Sequence, residues 1–252
     1  MMNCRFPHPD ASYTLFCFPW AGGGSNFYSA WGEKISENVE VVGITLPGRE
    51  SRFKEPCDYT VQSLVDEISA AIHEYCKRKP FAFWGHSLGA LLAFEVALTM
   101  KQKYGSELEH LYVSGVSAPQ SPMRKQNQPD VSKMTKEEFL QFLRRLGGTP
   151  PEILENPEMM KPYLPALRTD YSLLDQFTYE LPEGDPPLSC HVSFFDGDKD
   201  KEHDVYAWKQ LTSGPFRVKK LPGGHFYLKD INNIQTLQKI ISLDLSELNE
   251  IL

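Results

Sequence analysis

The stretch Phe81-Ala-Phe-Trp-Gly-His-Ser-Leu-Gly89 decides how this chain folds, because an apolar run breaks into a tight turn and then a helix. The residues up to Trp84 predict a buried strand, and Ala90–Leu98 predicts a helix. Gly85–Gly89 matches G-x-S-x-G, an elbow with a serine at its apex. Side chains at the glycine positions would crowd the packed neighbours of so tight a turn. Ser87 is therefore predicted to be a nucleophile; the alternative is an ordinary glycine-flanked turn.

Further strands and helices are predicted on both sides of this elbow. Each strand is a short run rich in aliphatic or aromatic residues that ends at a turn signal. The strands are expected over 13–18, 39–44, 111–116, 190–195 and 216–221, and the helices over about 60–79 and 234–243. Strands that alternate with helices form a mostly parallel sheet with helices on both faces. The predicted fold class is therefore α/β.

This alternation fails between about Ala118 and Pro187, where prolines separate short helical pieces. The clearest piece is Met134–Leu146, which has apolar residues at helical spacing. About seventy residues are too many for a simple connection between two strands of a compact sheet. We expect a helical lid over Ser87 at 119–187, inserted between core regions 1–118 and 188–252. A surface appendage is the alternative.

Composition limits the classes of function. The 252 residues, 41% hydrophobic and 23% charged, are typical of one large soluble domain. A net charge of −7 argues against nucleic acid as the main partner. Five cysteines without metal-ligand spacing predict free thiols, with Cys17 and Cys190 buried in strands. No secretion signal or membrane span is predicted, so we expect a cytosolic protein.

Two glycine-containing loops resemble nucleotide-binding motifs but lack their essential residues. Gly22-Gly-Gly24 follows a strand, yet Phe27 occupies the position where G-x-G-x-x-G needs its last glycine. Gly43 and Gly48 have P-loop spacing, but Arg49-Glu50 replaces the Lys and Ser/Thr that bind phosphate and Mg²⁺. No nucleotide, flavin or metal cofactor is therefore predicted.

A serine nucleophile needs a base and an orienting carboxylate, which after this kind of elbow follow in the order Ser…Asp/Glu…His. His225 lies on a glycine-rich loop just past the last strand and is predicted to be the base. His191 is assigned to a strand, and His203, among charged neighbours, to a solvated helix start. The loop after the strand at 190–195 lies at the same sheet edge as Ser87 and offers the carboxylate. It contains Asp196, Asp198 and Asp200, of which we favour Asp200 over Asp198.

The chemistry assigns a role to each of these residues. His225 takes the proton of Ser87 as the hydroxyl attacks a carbonyl, and Asp200 fixes the imidazole tautomer. The tetrahedral oxyanion needs two amides in place beforehand. The amide of Leu88 is predicted to be one of them. The other is expected in the loop after the first strand, from Ala21 or, as the alternative, Trp20.

Several segments together resemble the type II thioesterases of the α/β-hydrolase fold, and among them the vertebrate branch that serves fatty acid synthase. These segments are 17–25, 46–52, 80–89, 207–209 with 212–214, and 221–228. The resemblance implies the α/β-hydrolase fold with an inserted lid, and it matches Ser87, Asp200 and His225 to the catalytic triad. It weakens across 119–187, where selection of acyl chain length would reside.

What the resemblance implies is a serine thioesterase with no cofactor of its own. Its substrate would be a medium-chain fatty acyl group on the phosphopantetheine arm of the acyl carrier domain of fatty acid synthase. Bacterial members instead clear misprimed carriers of peptide and polyketide synthases. An ester hydrolase, an acyltransferase and a carrier-binding protein without turnover are the alternatives. The intact serine, aspartate and histidine argue against the last of these.

Such a carrier domain is acidic, and this chain is acidic too, so overall charge cannot steer their encounter. Local basic groups would have to guide docking. The candidates are Arg49 with Arg52 and Lys54, or Arg144-Arg145 beside the predicted lid. For each group, an ordinary solvated charged face is the alternative.

Overall fold

The computed structural model describes residues 1–76, 79–126, 130–149 and 151–249. Its strands form one seven-stranded sheet in the order β1-β3-β2-β4-β5-β6-β7. They are β1 Met2–Asn3, β2 Tyr13–Phe18, β3 Val39–Ile44, β4 Phe81–His86, β5 His110–Ser114, β6 His191–Gly197 and β7 Phe216–Leu221. β1 is antiparallel to β3, and every other neighbouring pair is parallel. The predicted α/β class is confirmed.

Helices cover both faces of this sheet. Within the described residues they are α1 Ser25–Ser29, α2 Val61–Cys76, α3 Leu88–Tyr104, α4 Pro122–Gln126, α5 Lys136–Leu146, α6 Pro151–Leu154, α7 Pro157–Met160, α8 Leu164–Leu173 and α9 Ile231–Asn249. The predicted strands are found within a few residues of their expected bounds. The helix predicted over 60–79 is α2, and residues 77–78 lie outside the described part. The short edge strand β1 was not predicted.

The two sheet faces bury different apolar clusters because side chains alternate along each strand. In β2, Phe16 and Phe18 pack with α2 and α3, whereas Leu15 and Cys17 pack on the face covered by α9. Every residue of β4 is buried, as expected for a strand covered on both faces. All five cysteines are free, and Cys17 and Cys190 are buried.

The chain between β5 and β6 forms the helices α4 to α8, which we call the α4–α8 segment. The sequence explains its longest regular piece, α5. Thr135 caps α5 by accepting from the Glu138 amide while the Glu138 carboxylate accepts from the Thr135 amide, a capping box. Gly147 ends the helix in the left-handed conformation. Phe139 and Leu143 are the buried residues of α5.

Candidate active site

Ser87 occupies a strained turn between β4 and α3. Its backbone has φ 55° and ψ −119°, a conformation that costs a non-glycine residue free energy and persists only where the surroundings enforce it. A Cβ at Gly85 would lie 2.3 Å from the Gly89 carbonyl oxygen, and one at Gly89 would lie 2.2 Å from the Phe18 carbonyl oxygen. The Ser87 amide donates to the Ser114 carbonyl over 2.8 Å. The elbow is therefore locked between β2 and β5, and both glycines are required.

Ser87, Asp200 and His225 line one cavity of about 470 Å³. The predicted triad residues, far apart in the chain, are thus brought to one place. The α4–α8 segment supplies much of the apolar wall: Met123, Phe142, Leu146, Tyr171 and Leu174. Arg145, Lys199 and Lys201 also line this cavity, so cationic side chains lie beside its apolar wall.

Nδ1 of His225 donates a hydrogen bond to Oδ2 of Asp200 over 2.7 Å. The side chains are 10% and 6% exposed, respectively, so water competes little for this bond. The other candidate, Asp198, is used differently: its Oδ1 accepts from the Gly223 amide over 2.8 Å. Asp198 therefore supports the loop that carries His225, and Asp200 contacts the imidazole.

The Asp200 carboxyl has a lowered pKa. Burial raises this pKa, but the hydrogen bond from His225 and the positive charge of the imidazolium outweigh burial and lower it overall. Asp200 is therefore ionised at neutral pH, the state in which a carboxylate fixes the imidazole tautomer and stabilises its cation.

The expectation for His203 is wrong. Instead of starting a solvated helix, its side chain is 2% exposed, and its Nδ1 lies 3.0 Å from Oδ2 of the buried Asp196. His203 also lines the cavity beside Asp200 and His225. Charged sequence neighbours suggested exposure, but the loop turns this side chain inward toward the end of β6. A second histidine–carboxylate pair therefore lies next to the predicted one.

Sequence reasoning also missed a polar chain behind the elbow. Nδ1 of His86 lies 2.9 Å from Oγ of Ser114, which lies 2.7 Å from the Tyr227 hydroxyl. The His86 ring is 4.8 Å from that of His225. Burial, and then the neighbouring His225, lower the pKa of His86 well below its usual value, so this imidazole is neutral. The G-x-S-x-G pattern gives no signal for this chain of bonds.

The two amides predicted to form the oxyanion hole lie on adjacent elements. Leu88 is the first residue of α3, where amides have no acceptor within the helix. Ala21 and Gly22 form the tip of a turn after β2 that is closed by a bond from the Gly23 amide to the Trp20 carbonyl over 2.7 Å. In the described part of the chain, neither the Ala21 nor the Leu88 amide donates to a protein acceptor. Among the described residues, both donors therefore have no protein partner.

The basic groups proposed for docking separate into two kinds. Arg49 is 5% exposed and forms an ion pair with the buried Asp170, so the prediction that it docks a partner is wrong. Arg52 forms ion pairs with Glu55 and Glu67. Arg144 and Arg145, by contrast, are exposed in the last turn of α5, where a helix favours positive charge.

Asp200, His203 and His225 each bring one possible metal-ligating atom within 4.8 Å of the others. Asp200 and His225 already bond to each other, and His203 is bonded to Asp196. These hydrogen bonds use Nδ1 of each histidine, and Nε2 of His203 is buried with no hydrogen-bond partner among the described residues. Within the described ranges, no helix has the length and apolar character needed to cross a membrane.

Comparison with known proteins shows which proteins this chain is similar to. The family model described as "Thioesterase domain" matches residues 13–243. The medium-chain S-acyl fatty acid synthase thioesterase of Rattus norvegicus is 39% identical, over 98% of this chain and 94% of that protein. The gramicidin S biosynthesis protein GrsT of Aneurinibacillus migulanus is 39% identical, over 86% of this chain and 84% of its own. Among solved structures, RedJ, a thioesterase of the prodiginine pathway in Streptomyces coelicolor, superimposes with a TM-score of 0.83 at 29% identity, covering 94% of this chain and 87% of RedJ.

Proposed function

From the premise that this chain belongs to the thioesterase domain family, we propose its mechanism and its substrate. The chain has the α/β-hydrolase fold of the type II members, and it is a thioester hydrolase. The proposed nucleophile is Ser87, the base is His225 and the orienting carboxylate is Asp200. The observation that carries the proposal is the 2.7 Å bond between His225 and Asp200 beside the cavity that Ser87 also lines.

In the proposed first step, His225 takes the Ser87 proton through Nε2 as the Ser87 oxygen attacks the thioester carbonyl. The tetrahedral oxyanion accepts from the amides of Leu88 and Ala21. The carbon–sulfur bond then breaks, the imidazolium gives its proton to the departing thiol, and an acyl-enzyme remains. In the second step His225 activates a water that releases the fatty acid and restores Ser87. Asp200 stays ionised throughout and stabilises the imidazolium.

The proposed substrate is a medium-chain fatty acyl group on the phosphopantetheine arm of the acyl carrier domain of fatty acid synthase. The names of relatives such as the rat protein support this class of substrate. The apolar wall formed by the α4–α8 segment suits an acyl chain, and we propose this segment as the lid. Lys199 and Lys201 beside the cavity suit the phosphate of the arm. Phosphopantetheine enters with the substrate, so no other cofactor is proposed, and the proposed location is the cytosol.

Editing of misprimed carriers in a peptide or polyketide synthase is the second candidate. The 39% identity to GrsT, a protein of gramicidin S biosynthesis, favours it. The two functions use the same chemistry and differ in the acyl group and carrier that they accept. An editing enzyme should act on short acyl groups, whereas a chain-releasing enzyme should discriminate by chain length.

The test is hydrolysis of carrier-bound acyl chains from C4 to C18, with matched oxygen esters, by the wild type and Ser87→Ala. A medium-chain thioester optimum that is lost in Ser87→Ala supports the proposal. A preference for acetyl and other short groups would support editing, and a preference for oxygen esters would reassign the chain as an esterase. Tight carrier binding with no turnover of any substrate would overturn the triad.

A further inference from the structure

Asp170, on α8 of the α4–α8 segment, reaches across to the turn that follows β2. Its carboxylate is fully buried, and its Oδ2 accepts a hydrogen bond from the Gly22 amide over 2.7 Å. The two residues are 148 positions apart in the chain. A side chain of the proposed lid thus holds the backbone of the turn that contains Ala21.

Arg49 completes this connection. Its guanidinium binds both Asp170 oxygens, with Nη1 2.6 Å from Oδ2 and Nη2 2.9 Å from Oδ1. Nη1 also donates to the Gly23 carbonyl over 3.0 Å. The Tyr59 hydroxyl donates to Oδ1 of Asp170 over 2.5 Å. The Gly22 amide and the Gly23 carbonyl are therefore both held by one buried, fully hydrogen-bonded ion pair, which is the arrangement that gives such a pair geometric specificity.

The conformation of the turn lets these hydrogen bonds fix the orientation of its peptide groups. Gly22 has φ +75°, and the Gly23 amide bonds the Trp20 carbonyl, as in a turn with glycine at its third position. A Cβ at Gly22 would lie 2.1 Å from Cδ2 of Leu167, which also belongs to α8. α8 therefore packs directly on this turn, beside Ala21, and rotation of the turn would break its bonds to Asp170 and Arg49.

The connection matters because the Ala21 amide is useful only if it is oriented before the reaction. Preorganised donors stabilise the oxyanion without reorganisation cost, and removing one such donor typically lowers kcat by roughly 10²–10³-fold. The Asp170 carboxylate is completely buried, so water does not compete for the hydrogen bond that it accepts from the Gly22 amide.

We propose that Asp170 is a positioning residue for the oxyanion hole. It orients the Ala21 amide only while α8 packs against the turn that follows β2. The inference rests on the proposed function, because the role of the Ala21 amide belongs to that proposal. Asp170 is not among the residues that line the cavity, and it acts through Gly22 and Arg49. Packing of the α4–α8 segment against the turn and formation of the oxyanion hole then occur together.

The experiment compares Asp170→Asn with Tyr59→Phe, the matched control. Tyr59→Phe removes the bond that Tyr59 donates to Asp170 and the bond that it accepts from Nη2 of Arg49, but it leaves the bonds that join Asp170 to Gly22 and to Arg49 intact. For each variant, kcat and KM are measured on an acyl thioester, together with the inhibition constant of an acyl trifluoromethyl ketone, which forms a tetrahedral oxyanion adduct. We expect Asp170→Asn to lower kcat and inhibitor affinity by a common factor approaching roughly 10²-fold with KM little changed. Tyr59→Phe should stay within about threefold of the wild type in kcat.

Asp170→Asn leaves Arg49 buried without its charged partner and can fail to fold, so a second variant is needed. In Asp170→Leu/Arg49→Met, two apolar side chains of similar size replace the pair, a change that buried ion pairs often tolerate. This variant should fold and lose less stability than Asp170→Asn, because no charge is left buried alone, yet keep the low kcat and weak ketone binding. If the folded double variant instead has the kcat and the ketone inhibition constant of the wild type, the ion pair has only a structural role and the inference fails.

The outcomes separate this inference from the proposed function. If wild-type turnover is abolished by Ser87→Ala but a folded Asp170 variant keeps its kcat and ketone affinity, the inference fails and the proposed function stands. If the wild type itself lacks turnover, the proposed function fails first. A rise in KM at unchanged kcat, with an inhibition constant for the ketone that rises only in proportion to KM, would also overturn the inference.

Discussion

The Asp200 carboxylate accepts a hydrogen bond from Nδ1 of His225 over 2.7 Å, and it does so from the loop after the neighbouring strand of the sheet. Parallel strands β6 and β7 end at one edge, so the loops that follow them lie side by side. Asp198 in the same loop bonds the Gly223 amide instead.

Asp200→Asn should lower kcat by about 10⁴-fold, because an amide no longer selects the imidazole tautomer that accepts the serine proton. Asp198→Asn is the control, since its amide oxygen can still accept from Gly223, and its kcat should fall by less than about tenfold. Both rates are measured on one acyl thioester at saturating concentration. The reverse order of effects would assign the carboxylate role to Asp198.

Gly89→Ala should lower kcat by at least about 10²-fold, because a misplacement on the order of 1 Å has such an effect. The new Cβ would lie 2.2 Å from the Phe18 carbonyl oxygen, which is backbone and cannot rotate away, so the elbow must shift. Gly105→Ala is the control at the other end of α3. Gly105 has φ +60° and no neighbour within 4 Å of a Cβ.

The Gly105→Ala variant should lose about 1–2 kcal/mol of unfolding free energy through backbone strain and keep its activity. Denaturant unfolding and turnover are measured on both variants. Wild-type kcat in Gly89→Ala would contradict the locked elbow.

Glu95→Gln should stabilise the protein at high pH only. Burial raises the pKa of Glu95 to about 7 from its ordinary 4.5. Because the folded value is the higher one, the folded state loses stability as pH rises from about 4.5 to about 7, and the loss is complete above that. Removing the charge should therefore raise the unfolding free energy at pH 8 by up to about 3 kcal/mol, less in proportion to the residual exposure of the group.

At pH 4 the effect of Glu95→Gln should nearly vanish, since Glu95 is then mostly protonated in both states. Urea unfolding at pH 4, 6 and 8 gives the comparison, with Glu74→Gln on the exposed face of α2 as the control. An equal gain at all three pH values would indicate a packing effect and not a titration.

Charge reversal at Arg144 and Arg145 should weaken hydrolysis of carrier-bound substrate and spare the acyl-CoA of the same chain length. Both arginines are exposed in the last turn of α5, and Arg145 also lines the cavity. Rim charges act mainly on association, so kcat/KM for the carrier substrate should fall by about tenfold and the effect should shrink with added salt.

The control for this prediction is reversal of Lys219 and Lys220, an exposed adjacent pair on the edge strand β7. It changes the net charge equally and should leave both substrates unaffected. Equal losses on the carrier substrate and on acyl-CoA in the arginine variant would rule out a docking role.

Local patterns carried most of the fold. Continuous apolar runs located strands such as β2 and β4, and the spacing of Gly85 and Gly89 around Ser87 located the elbow. These signals are local because a strand or a tight turn is selected by residues a few positions apart. β1 escaped prediction because two residues, Met2 and Asn3, are too few to show a period.

Other features depended on partners that a linear pattern does not reveal. His203 was expected in solvent, yet it pairs with Asp196 behind the cavity. Arg49 was expected on the surface, yet it bonds Asp170, 121 positions away. Charged residues are usually exposed, and the exceptions are set by whether a distant group of opposite charge packs against them.

The sequence by itself determined the α/β sheet, the elbow at Ser87 and the loop that bears His225, because each is encoded by neighbouring residues. Only the tertiary structure decided that Asp200 and not Asp198 contacts His225, and that Asp170 holds the turn beside Ala21. The residues of each pair are far apart in the sequence, and the packing of whole helices and strands brings them together. The geometry of each pair therefore depends on how α8 and the edge of the sheet pack, which no spacing in the chain specifies.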